Sequence, residues 1–220
     1  MKTKIASWYR LISELLMHPD DRDRKTVKLG VRSLNDAPEK LGGLIRSFVG
    51  HPGADSSDEY VETIELSGPC PLYMGSYLFE EPKSCRGAGT SGRNGYMIKL
   101  ANMYRHFGLD AGKKELPDYL PLMVEFQRLS LDRQASNGVA LRRYYLEELV
   151  LPGFEPFLKA LNKYKSPYAL LVEALEIVVR LDIERIVDTP AWKPPPEPVS
   201  TDGSPEPTGS PVQLRFADTK

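Results

Sequence analysis

The sequence contains no long hydrophobic run. A helix that crosses a membrane needs about 20 consecutive apolar residues, and no segment of this 220-residue chain approaches that length. The first ten residues include two lysines but lack the continuous apolar centre and small-residue cleavage site of a secretory signal. We therefore expect no direct membrane insertion and a cytoplasmic location.

Cysteine and histidine are scarce. The chain has two cysteines and three histidines, and none of them shows the paired spacing of a zinc site. In a reducing compartment we expect Cys70 and Cys85 to be free, partly buried thiols. Ser67, Ser76 and Ser91 do not lie in the G-x-S-x-G turn that presents a catalytic nucleophile. The sequence therefore predicts neither a metal site nor a nucleophilic triad, and we expect no enzymatic activity.

Neither positive nor negative charge is in marked excess over the chain as a whole. Lysine and arginine number 29 and aspartate and glutamate 30, so the formal net charge is −1. Such a balance gives no general attraction for a polyanion, and we do not expect nucleic acid as a partner. Persistent period-two alternation, the mark of a half-buried strand, is missing as well.

Helical periodicity dominates instead. Apolar residues recur at offsets of three and four, which predicts an all-α, single-domain antiparallel helical bundle over residues 1–188. We expect one helix to end before Pro152 and Ser166 to cap the last. The predicted helices are Ile5–Leu16, Leu41–Val49, Tyr60–Leu66, Tyr96–Phe107, Asp118–Leu129, Leu141–Val150 and Ser166–Val187.

The last of these helices is the most apolar. A single polar stripe formed by Glu173, Glu176, Arg180 and Glu184 interrupts a surface of leucine, valine, isoleucine and alanine. A helix that is apolar around most of its circumference belongs in the centre of a bundle.

The composition changes after Asp188. Prolines recur at short intervals from Pro190 onwards, and we predict a disordered, proline-rich tail over residues 189–220. Its Pro195-x-x-Pro198 segment matches a recognition pattern, but we prefer a solvated tail.

A glycine motif offers an alternative function. Gly87-x-Gly89-x-x-Gly92 matches the dinucleotide-binding fingerprint, but the charged residues before it are not a buried strand. Asp110 lies near the distance of a ribose-binding acid, yet its neighbours indicate a turn. We prefer a flexible loop between helices. A nucleotide-binding protein or small enzyme that uses this loop remains the alternative.

Aromatic residues and acids form the densest group of candidate site residues. Tyr73 and Tyr77 are four residues apart and share a face if their segment is helical. Asp118 and Glu125 are seven apart, ~10 Å along one side of the predicted helix, and Glu115 lies just upstream. Rings beside carboxylates suit a peptide that carries arginines and an apolar stretch.

A purely structural interpretation of the same residues stays open. In it Tyr73, Tyr77 and Phe79 belong to the core, Asp118 only caps a helix, and Glu125 pairs with Arg128 three residues on.

The run Glu115–Phe126, ELPDYLPLMVEF, resembles the signature of the nitrate reductase assembly chaperones of the NarJ/TorD type. The order of other segments agrees: Tyr77–Glu80 is similar to a family segment ahead of a polar loop, and Ser166–Leu171 resembles the start of its final helix. The likeness spans about residues 5–187. One residue departs, because Tyr119 stands where the family usually has histidine.

This resemblance implies an all-helical chaperone that catalyses no reaction. It would bind the N-terminal leader of the catalytic (alpha) subunit of a molybdenum oxidoreductase and hold the apoprotein while molybdopterin guanine dinucleotide is inserted. It would retain no cofactor permanently, would be absent from the finished enzyme, and could form a homodimer. A permanent structural subunit of the oxidoreductase is the rival hypothesis. The peptide-binding residues carried over by position are Tyr73, Tyr77, Phe79, Glu80, Leu116, Pro117, Asp118, Tyr119, Pro121, Leu122 and Glu125.

Overall fold

The structure is a computed structural model, and it describes residues 1–65, 68–80, 91–112, 114–133, 135–190, 192–193 and 212–213. Single 3-10 turns, Pro19–Asp21, Ser33–Asp36 and Pro52–Asp55, join several helices, and a π-helical segment spans Tyr145–Val150. The helices are α1 (Lys2–Leu15), α2 (Arg24–Arg32), α3 (Glu39–Val49), α4 (Ser57–Ile64), α5 (Gly75–Leu78), α6 (Gly92–His106), α7 (Leu120–Ser130), α8 (Gly138–Tyr144), α9 (Leu151–Lys163) and α10 (Tyr168–Arg185).

The predicted all-α fold class is confirmed. Strand within the described ranges is limited to β1 (Leu109–Asp110), which pairs in parallel with β2 (Val212–Gln213). Gly108, at φ +67°, takes the left-handed conformation that ends α6 and turns the chain into β1. No helix of the described part of the chain combines the length and apolarity that crossing a membrane requires.

α10 lies at the centre of the bundle, as predicted. It packs against α1, α3 and α9, and its buried face is lined with leucine, valine and alanine. The predicted polar stripe faces outward, where Glu173 pairs with Lys40 at 2.8 Å and Glu176 with Arg180 at 2.6 Å. The apolar surface of α10 is larger than one neighbouring helix can cover. For this reason the sequence pattern predicted its central position correctly.

Serine and glycine residues lie at several helix ends, and Ser166, the predicted cap, is one of them. The Ser56 Oγ accepts a hydrogen bond from the Glu59 N–H at 3.1 Å and opens α4, whereas Gly50 ends α3. The Ser166 Oγ accepts a hydrogen bond from the Tyr168 N–H at the start of α10.

The prediction that a helix ends before Pro152 is wrong. The chain continues through the π-helical segment into α9, which places Pro152 in its first turn. Pro152 lies at the junction between the π-helical segment and α9, where the hydrogen-bond pattern changes and a residue without an N–H costs less than in a regular helix interior. α2 also escaped prediction, since its few apolar residues lie among many charged ones and none of its residues is fully buried.

Cys70 is free and buried, as expected, and burial raises the pKa of its thiol to about 11. Cys85 and most of the predicted tail lie outside the described residues. The first residues of that tail pack on the bundle: the Arg143 guanidinium donates to the Thr189 carbonyl at 2.7 Å, and the Trp192 ring lies 5.1 Å from the Tyr144 ring.

A buried ion pair interrupts the apolar face of α10. Asp182 is fully buried, accepts a hydrogen bond from the Tyr9 hydroxyl at 3.1 Å, and pairs with Arg142 and Arg185. Burial, together with the Asp182 charge, holds the pKa of Tyr9 well above its ordinary value. The expectation that α10 is polar only along its outer stripe is therefore wrong. Asp182 is on the inner face because the Arg142 guanidinium compensates its charge there.

Removal of this carboxylate should destabilise the fold. Asp182→Leu leaves Arg142 buried without a counter-charge, and we expect the free energy of unfolding in urea to fall by about 3–5 kcal/mol. The exposed Glu184→Gln on the same helix serves as control and should change it by less than about 0.5 kcal/mol.

The double variant Asp182→Leu/Arg142→Met should regain much of that loss, because both buried charges are then gone. A double variant as unstable as the sum of the two single variants would contradict the role assigned to this pair.

Candidate functional site

The segment that begins the Glu115–Phe126 run is a loop fixed from two sides. The Leu120 N–H donates to the Leu72 carbonyl at 2.7 Å, and the Met74 N–H donates to the Asp118 carbonyl at 2.9 Å. These bonds form an antiparallel bridge between Tyr73 and Tyr119. The loop therefore runs alongside the aromatic segment, although more than forty residues separate them in sequence.

Asp118 is the buried anchor of this arrangement. Its carboxylate is fully buried, and the Oδ2 accepts hydrogen bonds from the Gly75 N–H at 3.1 Å and from the Arg93 Nε at 3.1 Å. The Arg93 guanidinium also forms an ion pair with it at 3.1 Å. One side chain thus joins the loop to the starts of α5 and α6.

Gly75 is needed at this contact. A Cβ on residue 75 would lie 2.5 Å from the Asp118 Oδ2, closer than real Cβ atoms approach an oxygen. The backbone N–H can reach the carboxylate because glycine has no side chain.

Two interpretations of Asp118 change with this geometry. It does not cap α7, which begins at Leu120 with Tyr119 before it and no side-chain cap. It also lies ahead of the helix, so it does not share a helical face with Glu125. In this conformation a client arginine could reach Asp118 only by displacing Arg93.

Glu125 pairs with Arg128, as the purely structural interpretation of the sequence expects. Its two carboxylate oxygens accept hydrogen bonds from the Arg128 Nε at 2.8 Å and from the Arg128 Nη2 at 2.5 Å. This bidentate pair leaves the Glu125 side chain 17% exposed. The pair also raises the pKa of the Arg128 guanidinium.

The tyrosines of the predicted site separate. Tyr73 precedes α5 and its ring lies 5.3 Å from that of Tyr119, whereas Tyr77 stacks on Phe157 at 4.5 Å. Tyr73 and Tyr77 therefore do not share a helical face, because the helix begins only at Gly75. Tyr77 is tied down by its hydroxyl, which donates to a backbone carbonyl at 2.8 Å.

The remaining predicted site residues divide between the surface and the interior. Phe79 packs against Tyr96 with ring centroids 5.5 Å apart. Glu80 and Leu116 are exposed, and Pro121 and Leu122 are buried in the core. The Pro117 carbonyl accepts a hydrogen bond from the Tyr104 hydroxyl at 2.7 Å, which holds the loop against α6. Their predicted binding roles stay predictions.

A cleft of about 370 Å³ opens where Tyr73 and Tyr119 reach the surface, and we call it the tyrosine cleft. Three acids line it, and the described residues contribute neither a lysine nor an arginine to its walls. None of those acids forms an ion pair with a cation of the described chain. The lining residues are Met17, His18, Asp21, Tyr60, Ile64, Glu65, Leu72, Tyr73, Glu115 and Tyr119.

The hydroxyls of the cleft remain neutral. Burial, reinforced by the neighbouring Glu115 carboxylate, raises the pKa of Tyr73 above its ordinary value, and its hydroxyl donates to Glu115 at 3.0 Å. Burial raises the pKa of Tyr119 to about 12, although a hydrogen bond with Tyr60 lowers it. Near neutral pH the cleft therefore presents uncharged rings beside negative carboxylates.

Sequence reasoning found one side of this cleft and missed the other. Glu115, Tyr73 and Tyr119 come from the recognised motifs, whereas the segment Met17–Asp21 and helix α4 supply the opposite wall. Glu65 had a usable signal, since it directly follows α4, whose buried residues include Tyr60.

The chemistry available here is binding. Rings and carboxylates accept apolar and cationic groups, and no group of three or more histidine, cysteine, aspartate or glutamate side chains within the described ranges could hold a metal ion. The glycine motif lies outside the described residues except for Ser91, which caps α6, and Gly92, which begins it. The nucleotide-binding alternative therefore stays a prediction.

Replacing Asp118 should loosen the whole site. Asp118→Asn removes the counter-charge of the largely buried Arg93, and we expect the free energy of unfolding to fall by about 3 kcal/mol. The exposed Glu80→Gln is the control, with an expected change below about 0.5 kcal/mol.

Equilibrium unfolding in urea, followed by circular dichroism, measures both values. If Asp118→Asn lowered the free energy of unfolding no more than Glu80→Gln does, the anchoring role of Asp118 would be refuted.

Comparisons with known proteins give one similar protein and one matching family model. The chain is similar to a protein of Bacillus subtilis (strain 168) described as a probable nitrate reductase molybdenum cofactor assembly chaperone NarJ. The two are 28% identical over 192 residues, which cover 81% of this chain and 94% of that protein. Residues 35–168, more than half of the chain, match the family model described as nitrate reductase delta subunit. This range includes Tyr73 and the whole Glu115–Phe126 run, so the resemblance drawn from that run is confirmed. The chain belongs to the nitrate reductase delta subunit family.

Proposed function

We propose that this protein is an assembly chaperone for a molybdenum-containing nitrate reductase, and that it binds the N-terminal leader of the catalytic subunit in the tyrosine cleft. The family match supports the assembly role, and the negative, ring-lined cleft supports the choice of ligand. The protein catalyses no reaction in this role.

The cleft suits a leader peptide that combines basic and apolar residues. Asp21, Glu65 and Glu115 are free of ion pairs with cations of the described chain, so an incoming arginine does not have to break an existing pair. Tyr73 and Tyr119 offer ring faces on which a guanidinium or an apolar side chain can pack.

The acids of the site therefore have two roles. Asp118, already paired with Arg93, positions the loop, whereas Glu115 on the same loop faces the ligand. Tyr119, which replaces the histidine usual in the family, keeps an uncharged donor at this position over the physiological pH range.

Cofactor insertion follows from leader binding in this proposal. While the leader is held, the apoprotein stays open, and molybdopterin guanine dinucleotide enters the client rather than the chaperone. The complex exists in the cytoplasm before the client is exported or docks on the membrane, and a homodimer of the chaperone is compatible with this sequence of events.

Neutralising the acids of the cleft should weaken leader binding. We expect Glu115→Gln and Glu65→Gln each to raise the Kd for a twin-arginine leader peptide about threefold at low salt, and less at high salt, because each removes one partly exposed ion pair. Titration calorimetry at two salt concentrations measures this.

Glu62→Gln is a matched control for Glu65→Gln. Glu62 is exposed on the same helix α4 but does not line the tyrosine cleft. The Kd of the Glu62→Gln variant for the leader peptide should therefore stay within about 1.5-fold of that of the parent protein. Equal effects of the two substitutions would place the leader elsewhere. Absence of binding by any leader of a nitrate reductase catalytic subunit would refute the proposed function.

A further inference from the structure

A second groove lies on the other side of the segment Met17–Arg22. It has a volume of about 490 Å³ and opens between α2 and the end of α3, and we call it the basic groove. Its volume falls within the range of about 300–1,000 Å³ that is usual for ligand pockets. The lining residues are Leu15, Pro19, Asp20, Arg22, Arg24, Val27, Lys28, Val31, Arg32, Phe48, Val49, Ala54 and Asp55.

The floor of the basic groove is apolar and recessed. Leu15, Phe48 and Ala54 are at most 2% exposed and form its base, whereas Val27 and Val31 of α2 are half-buried along one wall. Because the base residues expose almost no surface, side chains that enter the groove would meet mainly the hydrocarbon of Val27, Val31 and the exposed Val49.

Its rim carries cations without internal partners. Arg24, Lys28 and Arg32 line the groove, are exposed, and form no ion pair with any acid of the described residues. α2 contains no aspartate or glutamate between them. The spacing of four residues places the three cations in a row of ~12 Å beside the valine wall.

The other charged residues of the groove offset its positive charge only in part. Arg22 is buried and pairs with Asp55 at 3.3 Å, and it donates to the Ala54 carbonyl at 2.5 Å. Asp20 accepts a hydrogen bond from the Ser57 hydroxyl at 3.1 Å. The unpaired charge that faces a ligand is therefore predominantly positive.

Gly30 allows α2 to form this wall. A Cβ on residue 30 would lie 2.7 Å from the Leu11 Cδ1, so a larger residue would push α2 away from α1.

We infer that the basic groove binds an acidic, amphipathic helical segment of a partner protein, with apolar side chains in the groove and carboxylates on Arg24, Lys28 and Arg32. Apolar residues at i, i+3 or i+4 and i+7 would fill the floor, and carboxylates spaced by four residues would match the cation row. The inference rests on the proposed function for the partner's identity, which is the client subunit, at a segment distinct from its basic leader.

The shape of the groove favours a peptide over a lipid surface. A membrane is approached by several apolar side chains that protrude together, whereas Leu15, Phe48 and Ala54 are buried and Val49 is the one exposed apolar residue of the described lining. The two clefts also share the wall Met17–Arg22 and carry opposite charge, so one client chain could occupy both without competition.

The probe for this groove is a synthetic helical peptide of about 15 residues, the length at which an isolated helix becomes marginally stable. It carries leucines at i, i+3 and i+7 and glutamates at positions spaced by four, and a second version has glutamine in place of every glutamate. Fluorescence anisotropy with the full-length protein should show tighter binding of the glutamate peptide.

Lys28→Glu and Lys25→Glu form the matched pair. Both lysines are exposed on α2, but only Lys28 lines the groove. We expect Lys28→Glu to raise the Kd of the glutamate peptide about fivefold and Lys25→Glu less than twofold, with unchanged thermal melting for both. The leader peptide should bind both variants as it binds the parent protein, which separates this inference from the proposed function.

Other results would overturn the inference. One such result is equal affinity for the glutamate and glutamine peptides, and another is an equal rise in the Kd of the glutamate peptide in Lys25→Glu and Lys28→Glu. Either result would show that the cation row does not bind carboxylates. Lys28-dependent binding to phosphatidylserine vesicles without peptide binding would assign the groove to a membrane surface. Competition by a peptide of residues 194–220 stronger than by the glutamate peptide would assign it to the chain's own tail.

Discussion

The candidate site depends on one buried carboxylate. Asp118 holds Gly75 and Arg93 at once, and these residues belong to three segments that are remote in sequence. A buried charge is tolerable only when a counter-charge and hydrogen bonds surround it, so the three segments must assemble together. Through this tie the loop before α7 lies beside Tyr73 and forms one wall of the tyrosine cleft.

Acids in this protein separate by burial into those that support the fold and those that face solvent. Asp118 and Asp182 are fully buried and each is paired with arginine. Asp21 and Glu65, at the cleft, are exposed and unpaired with cations of the described chain. Because the buried pairs fix the backbone, the exposed acids can remain unpaired and available to the basic ligand that we propose. This arrangement is what a binding protein requires, since preorganised groups lose less conformational entropy on binding.

The sequence predicted the helices where apolar residues repeat and the ends where a serine or glycine punctuates them. It also predicted the family, because the Glu115–Phe126 run is specific. Periodicity failed at α9, where Pro152 reads as a helix stop although the junction with the π-helical segment accepts it. It failed at Asp182 as well, because a sequence does not show which acid has a buried arginine at its side.

The cleft itself was only half predictable. Tyr73, Glu115 and Tyr119 belong to motifs that can be recognised in the sequence, whereas His18 and Tyr60 reach the site only through tertiary packing. For the same reason Asp118 and Glu125, which were expected on one side of a single helix, form separate ion pairs with Arg93 and Arg128. Spacing along a chain fixes neighbours within a helix but not between helices.

The central claim is that the tyrosine cleft holds the leader of the catalytic subunit. Hydrogen–deuterium exchange with and without a saturating leader peptide tests it most directly, because exchange reports the backbone segments that the ligand covers. The account predicts slower exchange in residues 17–21, 60–65 and 115–119, with α9 unchanged as internal reference. Protection confined to other segments, while those three exchange as in the free protein, would contradict it.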